Sequence, residues 1–146
     1  MRKGDMAPSS YEIGKVHETR LRDLLDAWGI AYVRKKKFTT DHGRVLEVDF
    51  WLPPTETRGA VVVECKNFGV AAQSVADSRR RKEQEALWLL VQIRRHCVET
   101  RDSKIVLVTG KEEFTREQVS FLAAELGPNF QIETADQLDK DRSCFL

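Results

Sequence analysis

The stretch Val61-Val62-Val63-Glu64-Cys65-Lys66 runs three β-branched residues into an acid and a lysine two positions apart. Side chains alternate along a strand, so Val62, Glu64 and Lys66 share one face and Val61, Val63 and Cys65 the other. The valines predict an interior strand, and a charge at the end of such a strand needs a partner, because an isolated buried charge is costly. Asp49 and Glu18 are two further acids that the predicted elements can bring to the same place. Carboxylates and a lysine converging at a sheet edge suit cation-assisted hydrolysis of a phosphodiester. Magnesium takes one or two carboxylates together with water and phosphate oxygens, lowers the pKa of water and stabilises charge on the phosphoryl group. A lysine on the same face can orient or deprotonate the attacking water or stabilise the transition state. Taken singly, each feature has an ordinary explanation. Glu64 and Lys66 can form a surface pair worth little, Asp49 can guard an edge strand, and Glu18 can be a half-solvated helix acid. Only their convergence carries chemistry.

The elements that must achieve it are legible in outline. A polar tail, 1–10, precedes a helix from about Tyr11 to Trp28, with Val16, Leu21, Leu24, Leu25 and Trp28 on an apolar stripe and Glu18 at its edge. Gly29 stops that helix. Three strands follow: Ile30–Phe38, Arg44–Leu52 and Ala60–Lys66, joined by turns at 39–43 and 53–59. In the second, alternation puts Leu46, Val48 and Phe50 on one face and Glu47, Asp49 and Trp51 on the other. A hairpin centred on Glu56 sets Glu64 opposite Val48, so a shift of one residue or a bulge brings Asp49 beside Glu64. A long helix at about 72–97, a buried strand Lys104–Thr109, a helix to Leu126 ended by Gly127-Pro128, a short edge strand Phe130–Ile132 and a last helical turn Ala135–Leu138 complete the chain. This order predicts a single α/β domain over 11–140 with a mixed sheet flanked by helices, and a polar tail at 141–146.

Composition narrows the class. The chain has 146 residues, enough for one domain with a real core, and a net charge of +1. Three cysteines without CxxC spacing argue against a disulfide framework or a zinc site, and the histidines His17, His42 and His96 lack ligand spacing. The absence of a long apolar run or signal-peptide core predicts a soluble, cytoplasmic protein with no membrane partner. Positive charge is clustered at Arg34–Lys37 and Arg79–Lys82. Alternation allows at most half of the first cluster, Arg34 and Lys36, to face a nucleic acid. Such clusters contact phosphates and give affinity without sequence specificity. Trp28, Trp51 and Trp88 read as core, and so does the Cys65 side chain.

These residues resemble the PD-(D/E)XK nuclease superfamily with its restriction-endonuclease-like core. The match is Asp49 in Glu47-Val48-Asp49-Phe50-Trp51, then Glu64-Cys65-Lys66 after a hairpin; Val48 stands where the family name has proline. Gly14-Lys15-Val16-His17-Glu18 is similar to the G-x-x-x-E helix of archaeal Holliday-junction resolvases and related nucleases. Gln84, four residues before Trp88, loosely resembles a Gln-x-x-x-Tyr element of some relatives. The resemblance spans Tyr11 to Thr109. It implies a three-layer αβββαβ sandwich, extended here by a C-terminal α/β part. It also implies magnesium, replaceable by manganese, held by Asp49, Glu64 and the Cys65 carbonyl with Glu18 contributing, and Lys66 as catalytic lysine. Arg34, Lys36, Arg79, Arg80, Lys82 and Gln84 become the expected DNA contacts. The implied activity is an endonuclease that leaves a 5′-phosphate, either structure-selective (junctions or flaps) or a compact restriction, repair or homing enzyme. A homodimer or larger symmetric assembly is expected if both strands are cut. The competing expectation is a non-catalytic DNA-binding or scaffolding module on the same fold.

Overall fold

The computed structural model describes residues 10–66, 76–109 and 116–146, with side chains at 18–65, 85–109 and 116–146. The order is α1 (Ser10–Ala27), β1 (Val33–Thr39), β2 (Val45–Leu52), β3 (Val61–Lys66), α2 (Ala76–His96), β4 (Lys104–Thr109), α3 (Arg116–Leu126), β5 (Phe130–Thr134) and α4 (Ala135–Lys140). The five strands form one mixed sheet in the order β1-β2-β3-β4-β5. β1, β2 and β3 run antiparallel as a meander, and β4 and β5 add in parallel. The predicted order is therefore observed. β1 begins at Val33 rather than Ile30, because the Ile30 amide still donates to the Leu25 carbonyl at 3.0 Å and belongs to the end of α1. Gly29 makes that ending possible with φ 69°, a conformation costly for any residue with a Cβ.

β3 and β4 are buried on both faces, which explains their continuous Val/Ile/Leu runs. Leu21 and Leu25 of α1 and Leu138 of α4 pack with Val61, Val63, Cys65, Val106 and Val108 in one core. Leu90 and Ile93 of α2 and Leu122 and Leu126 of α3 pack with Val62, Ile105 and Leu107 in the other. The crossovers β3–α2–β4 and β4–α3–β5 step in the same direction across the sheet, so connections of one hand put both helices on one face. The other face is covered by α1 and α4.

The segment 141–146, expected to be a polar tail, instead closes the first core. Cys144 and Phe145 are buried there, and Phe145 lies 6.3 Å from the Trp28 ring. The Lys104 ammonium holds the segment by donating to the Cys144 carbonyl at 2.9 Å. Burial pushes the Cys144 thiol up to about 12. In a stretch so rich in charge, two apolar residues give no periodic signal; only the exposed edge of the α1 core shows why they fold back.

In the last turn of α2, Arg94 does the work of several caps. Its guanidinium donates to the carbonyls of Leu126 (2.9 Å), Thr100 (3.1 Å), Arg101 (2.8 Å) and Asn129 (3.1 Å). The Thr100 and Asn129 carbonyls also accept from Ser103 and from the Ile105 amide, so Arg94 ties groups that are already bonded to the end of α3. Burial lowers the Arg94 pKa from its ordinary value, with the Asp102 charge opposing. Arg94→Ala should cost about 3 kcal/mol, since several charge-assisted bonds are lost at once and their sum is not additive. Urea denaturation measures it, and a loss under ~0.5 kcal/mol would show that water satisfies these carbonyls equally well.

Candidate active site

Three elements carry the acids to one place. Phe50↔Val63, Trp51↔Val62 and Leu52↔Val61 pair across the second hairpin. Continued by one residue, this register sets Asp49 across from Glu64, rather than Val48 as a loop centred on Glu56 predicts. The backbone ladder ends at Phe50, and the two carboxylates take over its hydrogen bonds. The Asp49 amide donates to Glu64 Oε1 at 2.8 Å, and the Cys65 amide donates to Asp49 Oδ2 at 2.8 Å. Glu64 is thereby fixed by the main chain of Asp49, and Asp49 by the main chain of Cys65, the residue after Glu64. Glu64 is 2% exposed, so its position is set by these contacts and by packing rather than by solvent. α1 supplies Glu18. Leu21 and Leu25 lie three and seven positions on, along the same helical stripe, and their burial against β3 extends that stripe toward the point where β2 leaves β3.

The residue that joins Glu18 to the pair is Lys35, which strand alternation assigns to the face away from the site. Its ammonium lies 2.8 Å from Glu18 Oε1 and 3.3 Å from Asp49 Oδ1. Arg34 stands 3.7 Å from Glu18 Oε2. The geometry rests on an unusual backbone: Lys35 has φ 54°, the left-handed region that a lysine enters only at a cost. Pairing is regular on both sides, Arg34↔Phe50 and Lys36↔Val48, so Lys35 faces Asp49 across the gap. At this level the inside–outside alternation slips by one on both strands. Leu46 and Val48 join the α2–α3 core, whereas Phe50 and Leu52 join the α1 core. The expected common face of Leu46, Val48 and Phe50 is therefore split, without an inserted residue, since the register is the same on both sides of Lys35. The same slip separates Arg34 from Lys36, which were expected to face one way. Arg34 lies over Phe50 at 5.5 Å, and Lys36 over Trp51 at 5.1 Å and Phe38 at 5.8 Å. No spacing rule could have found Lys35, because period-two alternation presumes an extended residue at every position.

Electrostatics follow from this crowding. Burial raises the Glu18 pKa above its ordinary 4.5, the Asp49 carboxyl raises it further, and Lys35 opposes both. For Lys35, burial acts to lower the pKa, but Glu18 and Asp49 outweigh it and the net direction is up. A raised carboxyl binds its proton more tightly folded than unfolded, so its contribution to stability falls as pH rises from 4.5 through the folded value. Glu18→Gln should remove that decline. The difference in stability between variant and parent should shift in the variant's favour as pH rises through that window, by under about 1 kcal/mol after allowance for solvent. Denaturation midpoints taken across the window test it; a difference independent of pH would show that Glu18 titrates as in the unfolded chain.

The remaining expected residues divide in two. Lys66 ends β3 with its Cα paired to Thr109, and its side chain lies outside the described residues. Arg79, Arg80, Lys82 and Gln84 fall in the first half of α2, and their side chains also lie outside the described residues. Trp88, read as core, is 41% exposed and carries the Arg44 guanidinium 4.6 Å above its ring.

The donor set of the cluster is hard oxygen: Asp49, Glu64, the Cys65 carbonyl and Glu18. The Lys35 ammonium already lies against two of them, Glu18 Oε1 and Asp49 Oδ1, and oxygen donors of this kind are those that magnesium and manganese take. Among the described residues no helix is long and apolar enough to cross a membrane. No family model and no curated protein matches this chain.

Proposed function

We propose that the chain is a magnesium-dependent DNA endonuclease on a restriction-endonuclease-like three-layer core. The observation that carries this is the mutual locking of Asp49 and Glu64 where β2 leaves β3, with Glu18 joined to them from a separate element through Lys35. Asp49, Glu64 and the Cys65 carbonyl would hold the ion, with Glu18 in contact directly or through water. When bound, it supplies Lewis-acid activation of water and neutralises charge on the phosphate. The chain's own residues do the rest. Asp49 and Glu64 are pre-set by backbone amides, so ordering them costs little at the moment of reaction. Lys66, on the Glu64 face of the strand by alternation, orients the attacking water or stabilises the developing charge. Arg34, beside Glu18, and the basic start of α2 offer phosphate contacts without base readout, whereas Lys36 lies over Trp51 on the opposite face.

One observation favours a second reading: the Lys35 ammonium pairs with two of the acids, the kind of internal partner that a DNA-binding or scaffolding module that had lost catalysis would require. Duplex, single-stranded, flap and four-way-junction DNA incubated with the protein in magnesium separates the two. Cuts bearing 5′-phosphates on one or more substrates, abolished by EDTA, are expected of the nuclease. Binding without cleavage on all four, indifferent to magnesium, identifies the module.

A further inference from the structure

The turn between β1 and β2 meets the end of α2, at the other end of those strands from Lys35 and Asp49, and there three metal-ligating side chains converge. Asp41 Oδ1 lies 3.3 Å from His42 Nε2 and 3.1 Å from His96 Nδ1. One ligand atom from each of the three residues lies within 4.8 Å of both others. The two imidazole rings have centroids 4.7 Å apart. A tetrahedral zinc with ligand bonds of about 2.0–2.1 Å requires ligand atoms roughly 3.3–3.4 Å apart. The two edges to Asp41 already fit, and the third closes by turning the His42 ring, whose side chain is 69% exposed. The histidines, which their spacing in sequence does not mark as ligands, are thus brought together only by the packing of the hairpin on α2.

The backbone beneath them is fixed. The Asp41 amide donates to the His96 carbonyl at 2.8 Å, Thr40 and Arg44 pair through N–H to carbonyl at 2.7 Å, and Thr40 Oγ1 accepts from the Arg44 amide at 3.0 Å. Arg44 over Trp88 pins the same hairpin to α2. A site whose supports are already bonded binds with a small ordering cost.

We propose that Asp41, His42 and His96 form a site for a borderline first-row divalent cation, zinc first among them, that staples the β1–β2 hairpin to the C-terminal end of α2. Two imidazoles and one carboxylate are the donors such ions prefer and magnesium does not. Three protein ligands leave a position for water. The site is chemically and spatially distinct from the oxygen cluster at Asp49 and does not depend on the function proposed for it.

The test is a thermal melt of metal-stripped full-length protein with zinc chloride, beside titration with cobalt(II) to report coordination by visible absorption. At an excess of about a hundredfold over the dissociation constant, zinc should raise the melting temperature by about 5–10 °C. Asp41→Asn and His42→Gln alter exposed side chains, so both should fold and melt near the parent when metal-free. Each should lose the zinc shift and the tetrahedral cobalt spectrum, whereas Asp49→Asn should keep both. The proposal is overturned if the parent shows no shift at up to ~100 µM zinc, if the shift persists in His42→Gln, or if Asp49→Asn removes it; the last result would assign zinc to the oxygen cluster.

Discussion

Asp49→Asn and Glu64→Gln should each reduce magnesium-dependent DNA cleavage by about 10³-fold or more, the several kcal/mol that a lost charge on the metal site represents. Asn at 49 retains an oxygen to accept the Cys65 amide, and Gln at 64 retains one for the Asp49 amide, so the strand junction can survive both changes. The loss should therefore appear with stability within about 1 kcal/mol of the parent. The vanished attraction to Lys35 is offset by relief of repulsion between Asp49 and Glu18. Lys66→Ala should lose about 10²–10³ in rate, by analogy with the removal of a single transition-state donor, while metal-induced stabilisation persists. Single-turnover cleavage and melts with and without manganese separate these effects. Cleavage close to the parent rate by folded Asp49→Asn protein would remove the basis for a nuclease.

Lys35 gives a prediction of opposite sign. Its ammonium lies between Glu18 and Asp49, where the proposed divalent ion would also sit, so on that proposal cation and lysine compete. The lysine side chain is 45% exposed, so after solvent screening its contacts are worth about 1 kcal/mol. Lys35→Ala should then bind magnesium or manganese about fivefold more tightly and reach half-maximal cleavage at correspondingly lower metal. Lys35→Gly should show the same metal effect and also melt higher than Lys35→Ala. At φ 54° the alanine still carries left-handed strain of about 1–2 kcal/mol, and glycine does not. Equal metal affinity in parent and both variants would show that Lys35 stands clear of the ion; equal stability of the two variants would show that the backbone relaxes once the lysine is gone.

Local periodicity accounts for most of the architecture. The stripe Leu21, Leu25 marked α1, the Val61–Val63 and Ile105–Val108 runs marked the two strands buried on both faces, and Gly29 marked the end of the first helix. The separation of Asp49 and Glu64 by one short hairpin made their meeting foreseeable to within one residue of register. Asp41, His42 and His96 were opaque for the opposite reason: the two histidines lie 54 positions apart, and nothing local links them. Phe145 was opaque because a single aromatic in a polar stretch has no period to read.

What the sequence by itself determined is the set of elements, their order, and the three acids placed to converge; the side chain of the strand-end Lys66 lies outside the described residues. The elements and the acids depend on hydrophobic spacing and on the residue types themselves, and both are local properties. Only the tertiary structure decided which register joined Asp49 to Glu64, that Lys35 turns inward through a left-handed residue, and that Arg34 and Lys36 part to opposite faces. A period-two pattern fixes faces only while every residue stays extended. One residue at positive φ reverses the pattern beyond it, and what holds that residue there is the pair of carboxylates that α1 and β2 bring from elsewhere in the chain.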